Sequence, residues 1–540
     1  QLTMNNFLIK GDYMRVPQMT EQTSTAKKTG ETEIYASQFG RIAYDYMGRY
    51  LFRSSIRRDG SSKFGPGNQW GVFPSVSGAW RLSDEFFMDW SKPALSDAKF
   101  RISWGVAGND RIPNYVWRTM YDASGTTYSY GGVPGAYPKT TYGNSSLKWE
   151  SDEQMNYGLD LTFLDGRISV TADYYIKSSN DLLWSEQLSA ELGYTSRYVN
   201  IGSIRNKGVE LNVTAYPVDN KDWTWSTTIN WTKNKQKVVS LGEEKSFIYN
   251  TNWLVEVGQP TGMFYGYKQL GVYAYDASNA YTADYKTRLT PVFERDAYGN
   301  VLITKSGGPQ LIGYKYPDGS DYGWTPDGTG NQVYKMRYSD TNAFTGGDVI
   351  WDDVNHDGII DGGDKQVLAN AQNDWYAGWS NSVRYRDFTL SFNIYTSWGG
   401  TIYNQLLYDL SKYGDNTSNA DPRGVVQGWR YQGQITEWYA PGNNARPSSN
   451  NRSLSSFYLE DASFIRLQTV RLAYQLNRKI ADMLKLQSMQ VYVFGNNIAT
   501  WTNYRGYDPE ISTGGVLNPG ADNQKYPKKR EFGFGLNLSF

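Results

Sequence analysis

A short acidic segment about two-thirds of the way along the chain, DVNHDGIIDGGD, has the residue types and spacing of a calcium-binding loop. Counted from Asp353, oxygen-bearing side chains stand at the first, third, fifth, ninth and twelfth places. Gly358 occupies the sixth place, where such loops turn sharply, and Ile359 at the seventh would offer its backbone carbonyl. The pattern predicts a structural site for Ca²⁺ or another divalent cation, with the ligands Asp353, Asn355, Asp357, Ile359, Asp361 and Asp364.

The same segment also suits a loop that binds no cation. The twelfth place is Asp364 rather than the usual Glu, so its carboxylate reaches less far, and the flanking helices of an EF-hand are not evident. Asp and Asn side chains can hold a loop through Asx turns alone, with their carboxylates solvated. His356 falls at a non-ligand place, so we expect it to be exposed.

The composition removes several kinds of chemistry. Among 540 residues there is no cysteine and one histidine, which excludes thiol catalysis and leaves little for a zinc site or a Ser-His-Asp triad. Lys and Arg equal Asp and Glu at 54 each, so the basic excess of a nucleic-acid binder is lacking. Aromatic residues reach 16 %, mean hydropathy is −0.61, and no run approaches the ~20 apolar residues of a spanning helix. We expect a strand-rich protein.

Alternation of apolar and polar residues predicts the strands. The clearest hairpin alternates over 157–163, turns at Asp165-Gly166 and resumes over 168–176. Another turns at Arg386-Asp387, ahead of an alternating run over 388–394. Taken along the whole chain, the alternation predicts about 13 strands.

Alternation fits both a soluble β-sandwich and a transmembrane β-barrel, because each has one apolar face against a dry medium. Connections that alternate between short and long, strands of ~9–11 residues, and a face carrying Asp, Arg, Lys and Asn favour the barrel. We therefore predict an all-β, transmembrane antiparallel β-barrel. Its long external loops are expected at about 107–152, 235–377, 398–462 and 498–530.

Whether the number of strands is odd or even predicts on which side of the membrane the first strand starts. The last strand follows a long loop and runs inward, so with about 13 strands the first also starts outside, and 1–30 is an external loop segment. Because outer-membrane barrels usually have an even number of strands, the odd count predicts that 31–540 is the C-terminal part of a larger barrel. A spanning strand within Phe264 to Tyr275 would break this parity.

Short motifs spread over most of the chain resemble the SusC/RagA-type TonB-dependent outer-membrane transporters. Besides the acidic loop, they include SIRRDGSSKFG at 55–65 and the segments 39–41, 71–75, 104–109, 147–150, 173–175, 206–210, 460–467 and 496–497. The resemblance implies a 22-stranded barrel with a plugged lumen, of which about 13 strands are present here. It also implies a multi-pass protein of the outer membrane of a Gram-negative bacterium, with no enzymatic activity.

The resemblance further implies a set of partners. They are a SusD-type surface lipoprotein as a lid, the TonB complex through a plug segment missing here, the N-terminal remainder of the barrel, membrane lipid and lipopolysaccharide. The implied substrate is an oligosaccharide or a peptide, and no nucleic acid is expected. A passive barrel or adhesin without a plug, and a secreted carbohydrate-active enzyme of sandwich type, stay open as alternatives.

Aromatic residues supply the remaining site predictions. Loop aromatics can stack on a substrate, so contact is predicted for Trp375, Trp398, Tyr403 and Trp438, with packing inside the loops as an equal alternative. Phe540 is expected, from the resemblance, to be the terminal aromatic recognised during barrel assembly. Its simpler role is lipid-facing packing.

Overall fold

The computed structural model describes residues 32–92, 94–122, 129–130, 133–134, 137–305, 307–412, 419–441, 450–510 and 514–540. The predicted external segment 1–30 lies outside them. Contacts divide the chain into two compact units. The first unit is Gln1–Asp219 with Ser226–Lys245, and the second is Asn220–Trp225 with Ser246–Phe540.

The first unit contains long strands that hydrogen-bond in chain order, and β1 to β7 pair antiparallel. The last strand, β8, has its first three residues in the second unit. The strands are β1 (Tyr35–Tyr46), β2 (Tyr50–Ser61), β3 (Trp70–Arg81), β4 (Leu95–Asn109), β5 (Glu150–Phe163), β6 (Ile168–Asn180), β7 (Ser203–Asp219) and β8 (Trp223–Ser240).

The second unit contains five more long strands, which also pair antiparallel in chain order. With the eight above, the described residues form thirteen long strands, which confirms the predicted number. The five are β9 (Trp375–Tyr385), β10 (Phe388–Trp398), β11 (Phe464–Gln475), β12 (Ser488–Thr502) and β13 (Glu531–Ser539).

The connections between neighbouring strands differ widely in length, from the two residues 386–387 to the interval 241–374. The tightest turns use left-handed backbone, with φ of 57° at Met47, 68° at Gly48 and 50° at Arg386. The predicted turn at Asp165-Gly166 also has positive φ at both residues. The longer intervals between strands are 110–149, 181–202, 241–374, 399–463 and 503–530. That the predicted loops are external stays a prediction.

The two faces of the strands differ in chemistry, because successive side chains point to opposite sides. One row across β11, β12 and β13 contains Leu472, Val493 and Phe534, which are 46 %, 55 % and 82 % exposed. Water would penalise such a row, whereas acyl chains would not. The other face includes Arg471, whose guanidinium donates to Oε1 of Gln490 at 2.8 Å. The sheet therefore has one apolar face and one polar face.

Short elements occupy the intervals of the first unit. Its 3-10 turns are Leu82–Asp84, Phe86–Ser91 and Ala190–Leu192. Its short strands are Tyr121–Asp122, Ser129–Tyr130, Val133–Pro134, Tyr137–Pro138, Thr141–Tyr142, Leu183–Gln187 and Ser196–Asn200.

The second unit holds more short elements. In the described part of the chain no helix is long and apolar enough to cross a membrane. The α-helices are α1 (Gln405–Leu410), α2 (Pro422–Gln427) and α3 (Arg478–Met483), and the 3-10 turns are Asp276–Ser278, Gly362–Asp364 and Ser456–Tyr458. The short strands are Ser246–Tyr249, Trp253–Glu256, Met263–Gly266, Gln269–Val272, Thr290–Phe293, Leu311–Lys315, Val349–Trp351, Gln366–Asn370, Thr401–Asn404, Leu459–Asp461 and Ala521–Asp522. The stretch from Phe264 to Tyr275 thus contains short strands and no long one.

The buried core of the second unit lies in its loops. One cluster gathers side chains from distant parts of the chain: Trp253, Phe264, Tyr403, Leu407, Trp438, Leu454, Tyr458 and Ala521. A second cluster surrounds the start of the acidic loop: Tyr273, Tyr281, Met336, Phe344, Val349, Ile350, Trp351 and Ile360. Loop packing, rather than strand packing, therefore supplies most of the dry interior of this unit.

Candidate ligand-binding site on the polar face

The acidic loop is anchored at both ends. It leaves the short strand Val349–Trp351, whose Trp351 is buried, and closes on the 3-10 turn Gly362–Asp364. Ile360 is buried inside the loop and packs in the same aromatic cluster as Trp351. The loop is therefore a fixed part of the second unit's core.

Backbone amides occupy the carboxylates at the two ends of the loop. Asp353 accepts from the amides of His356 at 2.8 Å and Gly358 at 3.0 Å. Asp364 accepts from the amides of Val354 at 3.0 Å and Asp361 at 2.8 Å. These bonds are the Asx-type contacts of the alternative interpretation, and they bring the first and twelfth places of the motif to one side of the loop.

Asp364 is the most buried acid of the loop. Burial raises the pKa of its carboxyl, the two backbone amides act in the opposite direction, and the charges of Asp353 and Asp357 raise it further. Among the residues that the structure describes, no three acidic or histidine side chains converge as a cation cage. The divalent cation therefore stays a prediction.

Trp375 and Trp398 face each other across the hairpin of β9 and β10. Their rings stack with centroids 6.0 Å apart and an interplanar angle of 14°. Alternation places both on the face of Trp379 and Ile394, which is the apolar one. This is the position of an interfacial aromatic pair.

A second aromatic pair, Trp223 and Tyr385, lies at the opposite end of β9 with ring centroids 4.3 Å apart. Trp375 and Tyr385 are the first and last residues of β9, ten steps apart. Ten steps of ~3.4 Å at a tilt of ~40° rise about 26 Å. That height matches an apolar band of about 25 Å between two aromatic girdles.

The other two predicted aromatics are buried. Tyr403 and Trp438 are 4 % and 5 % exposed and belong to the first loop cluster. In this structure they pack inside the loops, which was the alternative to substrate contact. Contact between a substrate and any of the four predicted aromatics stays a prediction, and the burial of these two weighs against it.

The polar face of β9 and β10 carries the aromatics that the sequence analysis missed. Tyr376, Tyr395 and Phe464 line a cavity of about 230 Å³ at the ends of their strands. The rings of Tyr395 and Phe464 lie 5.7 Å apart, and Asn373 Nδ2 donates to the Tyr376 hydroxyl at 3.0 Å. Gln372 adds a further polar side chain to the lining. The cavity combines flat rings with hydrogen-bonding groups.

A buried arginine holds one of the residues that line this cavity. Arg466 donates to Oγ1 of Thr500 at 3.0 Å and to Asp508 at 2.5 Å, and it also bonds Glu510, which lines the cavity. Lys528 pairs with Glu510 at 2.7 Å. The two cations neutralise the carboxylates, so the interval 503–530 is fixed against β11.

The polar face of the first unit is also a hydrogen-bonded network. Arg101 donates to Asp160 at 2.8 and 2.9 Å and to Asp173 at 3.2 Å, across β4, β5 and β6. Tyr175, also on β6, donates separately to Asn234 at 3.1 Å. Charged side chains satisfied in this way suit a wet interior.

The terminal residue, Phe540, is exposed and follows directly after β13. Its neighbours on one face of β13 are exposed apolar residues such as Phe534 and Leu538. Its role in assembly stays a prediction.

Strands with an exposed apolar face, aromatic pairs about 26 Å apart and an ion-paired opposite face define the wall of a transmembrane β-barrel. A family model described as "TonB dependent receptor-like, beta-barrel" matches residues 5–304, more than half of the chain. The chain therefore belongs to the TonB-dependent receptor β-barrel family, which is a family of the outer membrane.

Individual relatives agree. The TonB-dependent receptor P39 of Formosa agariphila is 33 % identical over 524 residues, covering 96 % of this chain and 47 % of the relative. The TonB-dependent receptor SusC of Bacteroides thetaiotaomicron is 28 % identical over 534 residues, covering 97 % of this chain and 45 % of SusC. The chain thus spans about half the length of the curated relatives it matches.

The solved structure of the RagAB peptide transporter has the same fold. It superposes with a TM-score of 0.72 at 22 % identity, over 98 % of this chain and 50 % of that chain. The predicted SusC/RagA-type resemblance is confirmed, and the chain is the barrel portion of a larger receptor. The relatives are receptors and not enzymes, so the sandwich-enzyme alternative is wrong.

Proposed function

We propose that the chain supplies the wall and external loops of a TonB-dependent outer-membrane importer of oligosaccharides or peptides. The observation that carries the proposal is the cavity on the polar face, where Tyr376, Tyr395 and Phe464 stand beside Asn373 and Glu510. Flat rings with amide and carboxylate groups at their edges can hold either a sugar ring or a peptide.

The proposed importer works with partners outside this chain. A SusD-type lipoprotein closes the external side over the loops, and the TonB complex pulls on a plug segment from the periplasm. The N-terminal remainder of the same protein completes the barrel. The apolar face of the barrel contacts membrane lipid and lipopolysaccharide. Support comes from SusC among the relatives and from the RagAB peptide transporter among the solved structures.

Uptake by the full-length receptor tests the role of the cavity. The double variant Tyr376→Ala with Tyr395→Ala removes both rings from the polar face. We expect the ligand concentration that gives half-maximal uptake to rise roughly tenfold, as for the loss of a pair of aromatic contacts. Trp379→Ala is the matched control, because that ring lies on the apolar face and is not among the aromatics predicted to contact a substrate. The measurement is uptake of labelled oligosaccharide and peptide pools by cells that carry each variant.

The same cells separate an active importer from a passive barrel or adhesin. Uptake by an importer stops when TonB is deleted or the membrane potential is dissipated. Uptake that continues unchanged under both conditions would contradict the proposal and favour the passive barrel. Equal uptake by the tyrosine double variant and by Trp379→Ala would remove the cavity from the mechanism.

We also propose that a divalent cation braces the acidic loop. Ligand types and spacing support it, and Asp357 and Asp361 would complete a set around the two end carboxylates. Binding would require Asp353 and Asp364 to exchange amide contacts for the ion. Chelator treatment is expected to expose 350–365 to protease, and Asp357→Asn to do the same without chelator. Unchanged cleavage in both cases would count against the ion.

A further inference from the structure

The first unit contains a second cavity. It differs in charge from the cavity lined by Tyr376, Tyr395 and Phe464, which we call the tyrosine cavity. Its volume is about 420 Å³, and its lining contains Arg118, Lys139 and Lys63 with a single acid, Glu33. Tyr115, Tyr198 and other side chains of the interval 110–149 and of the short strand Ser196–Asn200 complete the walls. We call it the basic cleft.

Lys63 is already committed to protein carboxylates. Its ammonium lies 2.9 Å from Glu33 and 4.0 Å from Asp110. Partial burial alone would lower the pKa of Lys63, but contacts with Tyr35 and Glu33 raise it overall. Lys63 and Glu33 therefore neutralise each other at one end of the cleft.

Arg118 and Lys139 are different. In the part of the chain that the structure describes, neither side chain has an acid within ion-pair distance. The Arg118 guanidinium instead lies over aromatic rings, 4.9 Å from the centroid of Tyr115 and 5.5 Å from that of Trp117. Stacking orients the guanidinium and leaves its N–H fork for another acceptor.

The backbone that carries these two cations is fixed. Tyr115 adopts φ of 67°, a left-handed conformation that a bulky residue keeps only when its surroundings enforce it. Its hydroxyl accepts from the amide of Thr32 at 2.7 Å, and the amide of Arg118 closes the turn onto the Tyr115 carbonyl at 3.1 Å. The strained residue is therefore held by one hydrogen bond at its hydroxyl and one at its backbone carbonyl.

A second run of backbone brings Lys139 into the same wall. The Lys139 amide donates to the Met120 carbonyl at 2.8 Å. Further along, Gly143 passes so close that a Cβ there would lie 2.1 Å from the backbone nitrogen of Thr119. Only glycine permits this approach. Below it, Phe64, Ile112, Val116 and Leu147 form a buried apolar cluster.

We propose that the basic cleft binds an anionic group, a carboxylate or a sulfate, of the ligand that the receptor takes up. Arg118 supplies a planar bidentate donor, Lys139 a point charge, and Tyr198 an aromatic wall for the uncharged part of the ligand. This inference adds a ligand class to the proposed function. Only its statement that the bound ligand is the imported substrate rests on that function.

Calorimetry on the full-length receptor in detergent tests the proposal. The probes are a galacturonic acid tetramer, its methyl ester, an acidic tetrapeptide and the same peptide with Gln in place of Glu. We expect an acidic sugar or an acidic peptide to bind more tightly than its neutral counterpart. Its affinity should fall with added salt, because exposed charges are screened. The sugar and peptide arms distinguish the two sources of the anion.

The variants locate the binding. Arg118→Met and Lys139→Met are each expected to weaken the acidic probe about tenfold, as for a lost charge-assisted hydrogen bond. Arg118→Lys keeps the charge but loses the fork, so an intermediate loss is expected. Lys305→Met, an exposed lysine of the second unit, is the matched control.

The outcomes separate this proposal from the importer itself. Acidic probes that bind no better than neutral ones, or cleft variants that bind like Lys305→Met, overturn the cleft while TonB-dependent uptake can still be observed. Conversely, if the cleft variants lose binding and uptake does not depend on TonB, the proposal for the basic cleft stands and the proposal of an active importer is overturned. A melting temperature within the range of the control shows that each variant is folded.

Discussion

The long strands and the loop clusters of the second unit obey opposite burial rules. On the apolar face of β11 to β13, large side chains such as Leu472, Val493 and Phe534 are exposed, while charged Arg466 of β11 is buried. In the loop clusters the apolar side chains, such as Phe264 and Trp351, are buried, and the chain surrounding them is polar. One chain therefore folds against two solvents, with lipid as the dry medium for the wall and the protein's own rings for the loops.

The largest effect is expected where the loops make their own interior. Phe264→Ala removes a fully buried ring that packs against Trp253, with centroids 5.9 Å apart. The lost burial and the cavity left behind are expected to cost about 3–5 kcal/mol of loop stability. Limited proteolysis should cleave the interval 241–374 in the full-length receptor, while the barrel keeps its heat-modifiable migration in gels. Loss of the barrel as well would mean that the two regions fold as one.

A smaller effect is expected on the wall. Val493→Arg places a charge on the apolar face of β12, which is expected to cost about 2–4 kcal/mol near the middle of the bilayer. Urea unfolding in lipid vesicles measures the change, and Val493→Leu is the conservative control. If the arginine variant were as stable as the control, that face would be in water and the contrast between wall and loops would fail.

The smallest effect concerns a solvent-exposed turn among the loops. Hydrogen bonds from the hydroxyls of Thr325 and Thr329 and from a backbone amide lower the pKa of Asp327 to about 2. Because the folded pKa lies below the ordinary value, the turn is stabilised at neutral pH and loses this stabilisation as the pH falls from about 4 to about 2. Amide exchange over 325–330, corrected for intrinsic rates, should rise in that window. Asp327→Asn should abolish the dependence, and an unchanged pH profile in that variant would contradict it.

The long strands could be predicted from sequence because each is specified locally. A period of two over seven or more residues indicates both the strand and its two faces, as in 157–163 and 168–176. Loop clusters leave no such record, since their contacts join distant residues, such as Trp253 Nε1 and the Pro519 carbonyl at 3.2 Å. The sequence accordingly predicts only loops where the structure has the short strands and the two aromatic clusters.

The predicted aromatic site shows how one boundary changes a function. The predicted loop 235–377 contains Trp375, so this residue counts there as a loop aromatic that could contact a substrate. In the structure β9 begins at Trp375, so the alternation of the strand includes this residue and puts it on the apolar face. The same extension places Tyr376 on the polar face. Extending the alternation two residues back from Gly378 predicts Tyr376 on the polar face.

The bond between Arg466 and the interval 503–530 also determines which strands are needed to complete the tyrosine cavity. Glu510, which lines the cavity, is held by Arg466 of β11 and by Lys528. Tyr376 and Tyr395 belong to β9 and β10, whereas Glu510 and Lys528 lie in the interval between β12 and β13. The cavity therefore has its full lining only when β12 and β13, the last two strands, are paired.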